Sequence, residues 1–351
     1  MKLLPLSSPR LKLLFLTLMH FATDGLCSYL IFSKLYPRNL DYALFVFLGY
    51  NILAFVTQSP VGMLIDKHNK PKLFLAFSMA FMILGYAFGD FLILSVLFIG
   101  LGNSLFHVAG GKYVTDKSGN DISHLGIFVS TGAIGLVVGQ RYLSLVFLPY
   151  ILFAVFILCG LLVIVSEDSE TRTYPEKYDD LKRVDIAIII VLAVVFVRSF
   201  VGKAVAPGFT PHIHEFLLIG VATALGKAMG GIVSKGVGIR LTTYASMAVA
   251  AVCLTLGTGN IYMFILGVFA FNFSMPITLY FANILMKGKE GFAFGTLAAT
   301  LAPGYFLAML FSYSIDMRAL VGIMCILSML AIIIISKRIN YADTSSANDN
   351  S

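Results

Sequence analysis

His20 and Asp24 stand four residues apart in the stretch HFATDG, inside the first long apolar run of the chain. That spacing puts both side chains on one face of a helix, close enough to touch. An imidazole beside a carboxylate can load and release a proton, and His107, in a later apolar run, is a third group of that kind. Arg198 and Lys227 lie in two further apolar runs. A guanidinium fork suits a carboxylate, phosphate or phosphonate, and a lysine near it adds a second positive charge. His20, Asp24 and His107 are thus candidates for proton coupling, and Arg198 and Lys227 for binding an anionic solute. The amides Asn51, Gln58, Asn103, Asn272 and Asn283 are candidates to line the same cavity. Two plainer readings stay open. The His20–Asp24 pair would also serve as a self-satisfied lock between helices, and Arg198 or Lys227 as the partner of a salt bridge to Asp24.

The elements that carry these groups follow from composition. Of 351 residues, 58 % are hydrophobic and 12 % charged, whereas a soluble domain is about a quarter charged. Such a chain cannot cover itself with a water-facing surface, so a bilayer is its solvent. A charge at the bilayer centre costs about 2.5–3.5 kcal/mol on insertion scales, which is why intramembrane ions face a cavity or a partner. The surplus of seven positive charges needs only the Lys/Arg bias of cytoplasmic loops and no nucleic acid.

With about 20 apolar residues per crossing, the chain divides into about twelve spans. They lie near 11–34, 41–64, 72–88, 90–112, 122–140, 142–166, 184–205, 212–233, 241–258, 260–286, 291–313 and 318–337. The basic N-terminus leads into a run too long for a signal-peptide core, so it is read as the first span. With both termini in the cytoplasm, 18 of the 25 Lys and Arg fall inside, five outside and two in the membrane, as the positive-inside rule requires. The charged stretch EDSETRTYPEKYDDLKR, 167–183, is the one sizeable connection. It separates a six-helix half, 1–166, from a second, 184–340, and a polar tail, 341–351, reads as disordered. The expected fold is all-α, two six-helix pseudo-repeats in the membrane.

The loop GMLIDKHNKPK, 62–72, resembles the major facilitator pattern G-x-x-x-D-[RK]-x-G-[RK]-[RK] through Gly62, Asp66, Lys67 and Lys70. Asn69 replaces the second glycine, and asparagine also tolerates left-handed backbone angles. GIVSKGVGIR, 231–240, is a weaker echo in the second half, with Gly231, Gly238 and Arg240 in register and Lys235 where an acid is expected. One branch is closer still. His20-x-x-x-Asp24, LGNSLFHVAGG (101–111), FVRSFVG (196–202) and FSMPITLYFANIL (273–285), which places Asn283, are similar to segments of the fosmidomycin-resistance-like transporters. Val108 and Ala109 replace that branch's Pro and Glu, and Gln140 stands at the proline of the antiporter segment resembled by GAIGLVVGQR, 132–141.

The resemblance implies secondary transport of a small solute by alternating access. Its specific form is proton-coupled efflux, with proton-coupled uptake as the alternative. The site would lie between the halves, and the chain would work as a monomer in the cell (cytoplasmic, inner) membrane, with lipid, protons and solute as its partners. Cys27, Cys159, Cys253 and Cys325 fall in apolar runs with no CxxC or Cys/His spacing, so no metal site, disulfide or cofactor is expected. No catalytic constellation such as HExxH appears, which leaves a polytopic enzyme the less favoured class.

Overall fold

Lipid offers no partner to a free N–H or C=O, so a chain this apolar must satisfy its backbone within helices. The computed structural model describes residues 8–167, 184–205, 212–257, 259–311 and 317–348. Among them no strand occurs, and twelve apolar helical spans follow one another. The first six are α1 Pro9–Arg38, α2 Ala43–His68, α3 Pro71–Ala87, α4 Leu92–Ser118, α5 Ile122–Arg141 and α6 Leu148–Val165. The second six are α7 Val184–Ala204, α8 Ile213–Val237, α9 Ile239–Leu256, α10 Ile261–Leu285, α11 Glu290–Phe311 and α12 Arg318–Asn348. Eleven are long and apolar enough to cross a membrane, and α3, at 17 residues, is the short one.

The expected spans match within a few residues, with three informative shifts. α4 continues to Ser118, because Lys112 and Asp116 pair at i,i+4 and let the helix carry charge past its apolar stretch. α6 starts only at Leu148, where Pro149 occupies the first turn, the position at which proline's missing N–H costs nothing. α12 runs on to Asn348, through most of the polar C-terminal stretch. The connection read at 167–183 lies, apart from Glu167, outside the described residues.

Four spans are interrupted, α1 by a π-helical turn at Ile31–Leu35, and the breaks in the other three supply polar groups to the interior. α2 widens into a π-helical turn at Ile52–Val56, where the Thr57 hydroxyl donates to Leu53 O at 2.5 Å and bonds Ser104 at 2.9 Å. α5 breaks between Phe128 and Gly132, and α10 between Phe271 and Ser274. In α5 this frees the Phe128 carbonyl for a side chain of α1.

Glycines set how closely the helices approach. A methyl at Gly135 or Gly139 would run into the backbone of α1 at Phe21 or Gly25. The two halves meet mainly along α2 with α11 and α5 with α8. At the first seam Gly62 rests on the backbone of Gly291, and at the second Gly126 and Gly231 pack against each other. Asn69 ends α2 with φ 49° and ψ 41°, the left-handed geometry for which its substitution of glycine is suited.

Candidate functional site

Near the middle of α1, α4 and α5 three titratable side chains converge. His20 Nε2 lies 3.4 Å from Asp24 Oδ2, His107 Nε2 lies 3.5 Å from Asp24 Oδ1, and the two Nε2 atoms are 3.0 Å apart. Each imidazole is oriented from behind. His20 Nδ1 donates to Phe128 O at 2.7 Å, and His107 Nδ1 donates to Asn103 O at 2.9 Å. A carbonyl only accepts, so both Nδ1 atoms carry hydrogen and both neutral rings would point lone pairs at each other and at a carboxylate. Three acceptors at these distances require a cation among them. The simplest one is a proton.

Gly132, at the start of the second part of α5, makes the arrangement possible. A Cβ there would collide with both Asp24 Oδ2 and His20 Nε2. Asn103 lies one turn before His107 and sends its amide towards Asp24 Oδ1 at 3.4 Å and the Tyr50 hydroxyl at 3.2 Å. Phe106 and Phe128 flank the His20 ring. Asp24 and His107 keep 18 % and 13 % of their side-chain surface accessible, so the cluster is enclosed but not sealed.

Across from it, the second half contributes two cations. Arg198 on α7 donates to the Thr278 hydroxyl of α10 at 3.1 Å. Lys227 sits in the middle of α8, where its own carbonyl abuts Gly126 of α5. Lys227 lies close enough to Asp24 and Arg198 to feel the charge of both. Among the described residues neither cation has an ion-pair partner, and the acids facing Lys112 and Lys235 lie elsewhere. The salt bridge to Asp24 left open by the sequence is therefore absent from this conformation. A guanidinium and an ammonium with no carboxylate at contact distance leave the centre short of negative charge.

Asn272 lies in the break of α10 and bonds Val268 O of its own helix at 2.8 Å. Asn283 is placed apart from the central cluster. It is fully buried and donates to Asn120 Oδ1 at 2.9 Å and Thr115 Oγ1 at 3.2 Å. Thr115 is eight residues beyond His107, about 12 Å along the helix. Asn283 thus ties α10 to the end of α4 on the face where the 167–183 connection begins.

That face holds an ionic seam between the halves. Asp66 accepts the backbone N–H groups of Gly291 at 2.9 Å and Phe292 at 2.8 Å, capping the first turn of α11 with a negative charge. Lys112 reaches Asp66 at 3.4 Å, Asp116 at 3.2 Å and Glu290 at 3.3 Å. Asp121, between α4 and α5, takes a 2.6 Å ion pair from Lys235 of α8 and lies 3.3 Å from His124. Burial works against the Asp121 charge, but His124, Lys235 and Ser123 outweigh it and hold the carboxyl well below the usual range. At the opposite face the described residues give aromatic contacts between the halves, Arg141 over the Phe216 ring at 3.6 Å and Phe47 against Tyr305 and Phe306, and an ion pair within the first half, Arg38 with Asp90.

Of the loop-motif residues, Gly62, Asp66 and Gly231 are in this inter-half contact, Lys67 and Lys70 are exposed, and Arg240 is half-buried. Lys112, Asp116, Asp121 and Glu290 were not singled out from sequence, and Lys235 was noted only as standing where the loop pattern expects an acid. The span count ended α4 at 112 and assigned the acids beyond it to loops. The signal available was the Lys112–Asp116 i,i+4 pair.

The arrangement defines a class first: a multi-pass helical membrane protein of two packed six-span halves, with ionisable groups at its centre. No protein-family model matches this sequence, and neither does any curated protein. Solved structures do. The chain is similar to the human organic anion transporter MFSD10 (TETRAN) at TM-score 0.67 and 14 % identity, covering 93 % of this chain and 98 % of that one. It is similar to a variant of the E. coli fucose:proton symporter FucP at TM-score 0.65 and 12 % identity, with 93 % and 98 % covered. FucP in an outward conformation, described as a major facilitator superfamily transporter, aligns at TM-score 0.62 and 13 % identity, with 92 % and 97 % covered. The chain has the major facilitator fold.

Proposed function

We propose that this chain belongs to the major facilitator superfamily and is a secondary transporter that moves a small anionic solute by alternating access, coupled to a proton held by His20, Asp24 and His107. The observation that carries the reading is the division of labour across the centre. One half presents a carboxylate and two imidazoles that need a proton, and the other presents Arg198 and Lys227 without counter-charges. An anion between the halves would take its two hydrogen-bonding arms from Arg198 and further charge from Lys227. Proton symport and organic anion transport, named for the structural neighbours, are the two chemistries this centre has the groups for.

The ionic seam at Asp66, Lys112 and Glu290 would close the face that the basic loops assign to the cytoplasm, so in this conformation the proton would enter from the other face and an exported solute would leave there. Breaking the seam would open the inner side. Export is supported by the resemblance of the spans carrying His20, His107, Arg198 and Asn283 to the fosmidomycin-resistance-like branch, and uptake is the alternative the same groups would serve. The chain would act as a monomer in the cell membrane.

The test is flux into and out of proteoliposomes for a panel of small carboxylates, phosphates and phosphonates, with neutral sugars as controls. Saturable transport of an anion, lost in Arg198→Ala, supports the reading. Transport of neutral sugars alone would overturn the anionic assignment.

A further inference from the structure

We propose that His20, Asp24 and His107 also form a binding site for one divalent transition-metal ion, zinc above all. Two imidazole nitrogens and a carboxylate oxygen lie mutually within 4.8 Å, contributed by α1 and α4. The nitrogens are 3.0 Å apart, and the carboxylate offers each ring a different oxygen, Oδ2 to His20 at 3.4 Å and Oδ1 to His107 at 3.5 Å. A tetrahedral ion with bonds of about 2.0–2.1 Å sets its ligands about 3.3 Å apart. A small rotation of the Asp24 carboxylate, with no rearrangement of the helices, would bring the three ligands to one face of such a tetrahedron.

Two further features match what an ion needs. Both imidazoles spend Nδ1–H on backbone carbonyls, at 2.7 Å to Phe128 and 2.9 Å to Asn103. That is the outer support that fixes the ring and leaves Nε2 as the metal-binding lone pair. Gly132 lets Asp24 Oδ2 and His20 Nε2 pack directly against its backbone, where the Cβ of any other residue would collide with both ligand atoms. The donor set of two imidazoles and one carboxylate selects zinc, iron, cobalt, nickel or copper over magnesium and calcium, which prefer all-oxygen shells. Three protein ligands leave a fourth position, which water or an anionic solute drawn by Lys227 would occupy. The other groups that face the cluster are the Tyr50 hydroxyl and Cys27, both within reach of Asn103, and Lys227. An ion at this place displaces the proton. If the cluster couples transport, as proposed above, zinc blocks it, but binding does not depend on that reading.

The experiment uses tag-free protein in nanodiscs, stripped with chelator and titrated with Co2+, whose visible ligand-field bands report four- or five-coordinate imidazole ligation. One equivalent of Co2+ is expected to give saturating bands that one equivalent of Zn2+ abolishes. His107→Gln, His20→Gln and Gly132→Ala are each expected to weaken Co2+ binding at least tenfold, while His124→Gln and a His212/His214 double Gln variant leave it unchanged. Each variant is checked for monodispersity, and a ligand variant that is misfolded is replaced by Asp24→Asn. Absence of saturable bands in the parent overturns the proposal. So do bands that persist unchanged in the His20 and His107 variants, since the ion would then be adventitious. Solute flux measured in parallel under chelator separates failure of the metal site from failure of the transport reading.

Discussion

The Nε2 atoms of His20 and His107 face each other at 3.0 Å, each ring turned there by a backbone carbonyl on its far side. Two neutral imidazoles so oriented repel, and a shared proton converts the repulsion into a charge-assisted hydrogen bond. Replacing His107 by Gln removes the aromatic acceptor and keeps a polar group. We expect proton-driven accumulation of solute to fall at least tenfold in His107→Gln while exchange of internal for external solute, which needs no net proton movement, is largely retained. Accumulation at the parental level would remove His107 from the coupling group.

Arg198 and Lys227 are expected to separate by geometry. Arg198→Lys keeps the charge but loses the fork, and solute affinity should drop about tenfold, equivalent to about 1.4 kcal/mol. Arg198→Ala should lose more. Lys227→Ala should weaken binding less than Arg198→Ala, because Lys227 acts as a point charge. Binding by scintillation proximity or by calorimetry reads these directly.

Asp66 is both the cap of α11 and the partner of Lys112, with its side chain 9 % exposed. Asp66→Asn weakens both, leaving Lys112 held by Asp116 and Glu290 alone. Removing one partner from a buried ion pair costs about 3–5 kcal/mol where no group substitutes, and the remaining acids reduce that here. All four native cysteines are buried, so a thiol introduced as Ser59→Cys, at the seam 3.2 Å from Thr296, reports opening. Its labelling from the inner face should rise several-fold in the Asp66→Asn background. Unchanged labelling would mean that the seam does not hold that face shut.

The Asp121 carboxyl sits below the usual carboxylate range. Its charged form is thus favoured by the folded chain, so the stabilisation is complete above its unfolded value of about 3.9 and is lost as the pH falls below that value. The thermal-stability advantage of the parent over Asp121→Asn should therefore be constant from pH 7 to pH 5 and shrink towards pH 3.5. An advantage that grows on acidification would contradict the assignment.

Most of the fold was legible because span length and Lys/Arg distribution are set by the bilayer, and both are written in composition. His20 and Asp24 were legible together because four residues make one helical turn. His107 was recognised singly, and its contact with them was not, since it depends on α4 crossing α1 at a glycine of α5. The metal-ligand geometry was invisible for the same reason: its ligands come from different spans, with no spacing to read. Asn283 looked like a cavity amide from its segment, yet its neighbours Asn120 and Thr115 turn it into a tie at one face. In helices apolar on all sides, periodicity does not say which way a polar residue points.

The coupled proton is assigned to the His20–Asp24–His107 cluster. The most direct measurement is simultaneous recording of solute and proton flux in chelator-buffered proteoliposomes, for the parent and for Asp24→Asn. The parent should move protons in fixed ratio with the anion, and Asp24→Asn should exchange the anion without moving protons. Proton movement in the same ratio through Asp24→Asn would contradict it.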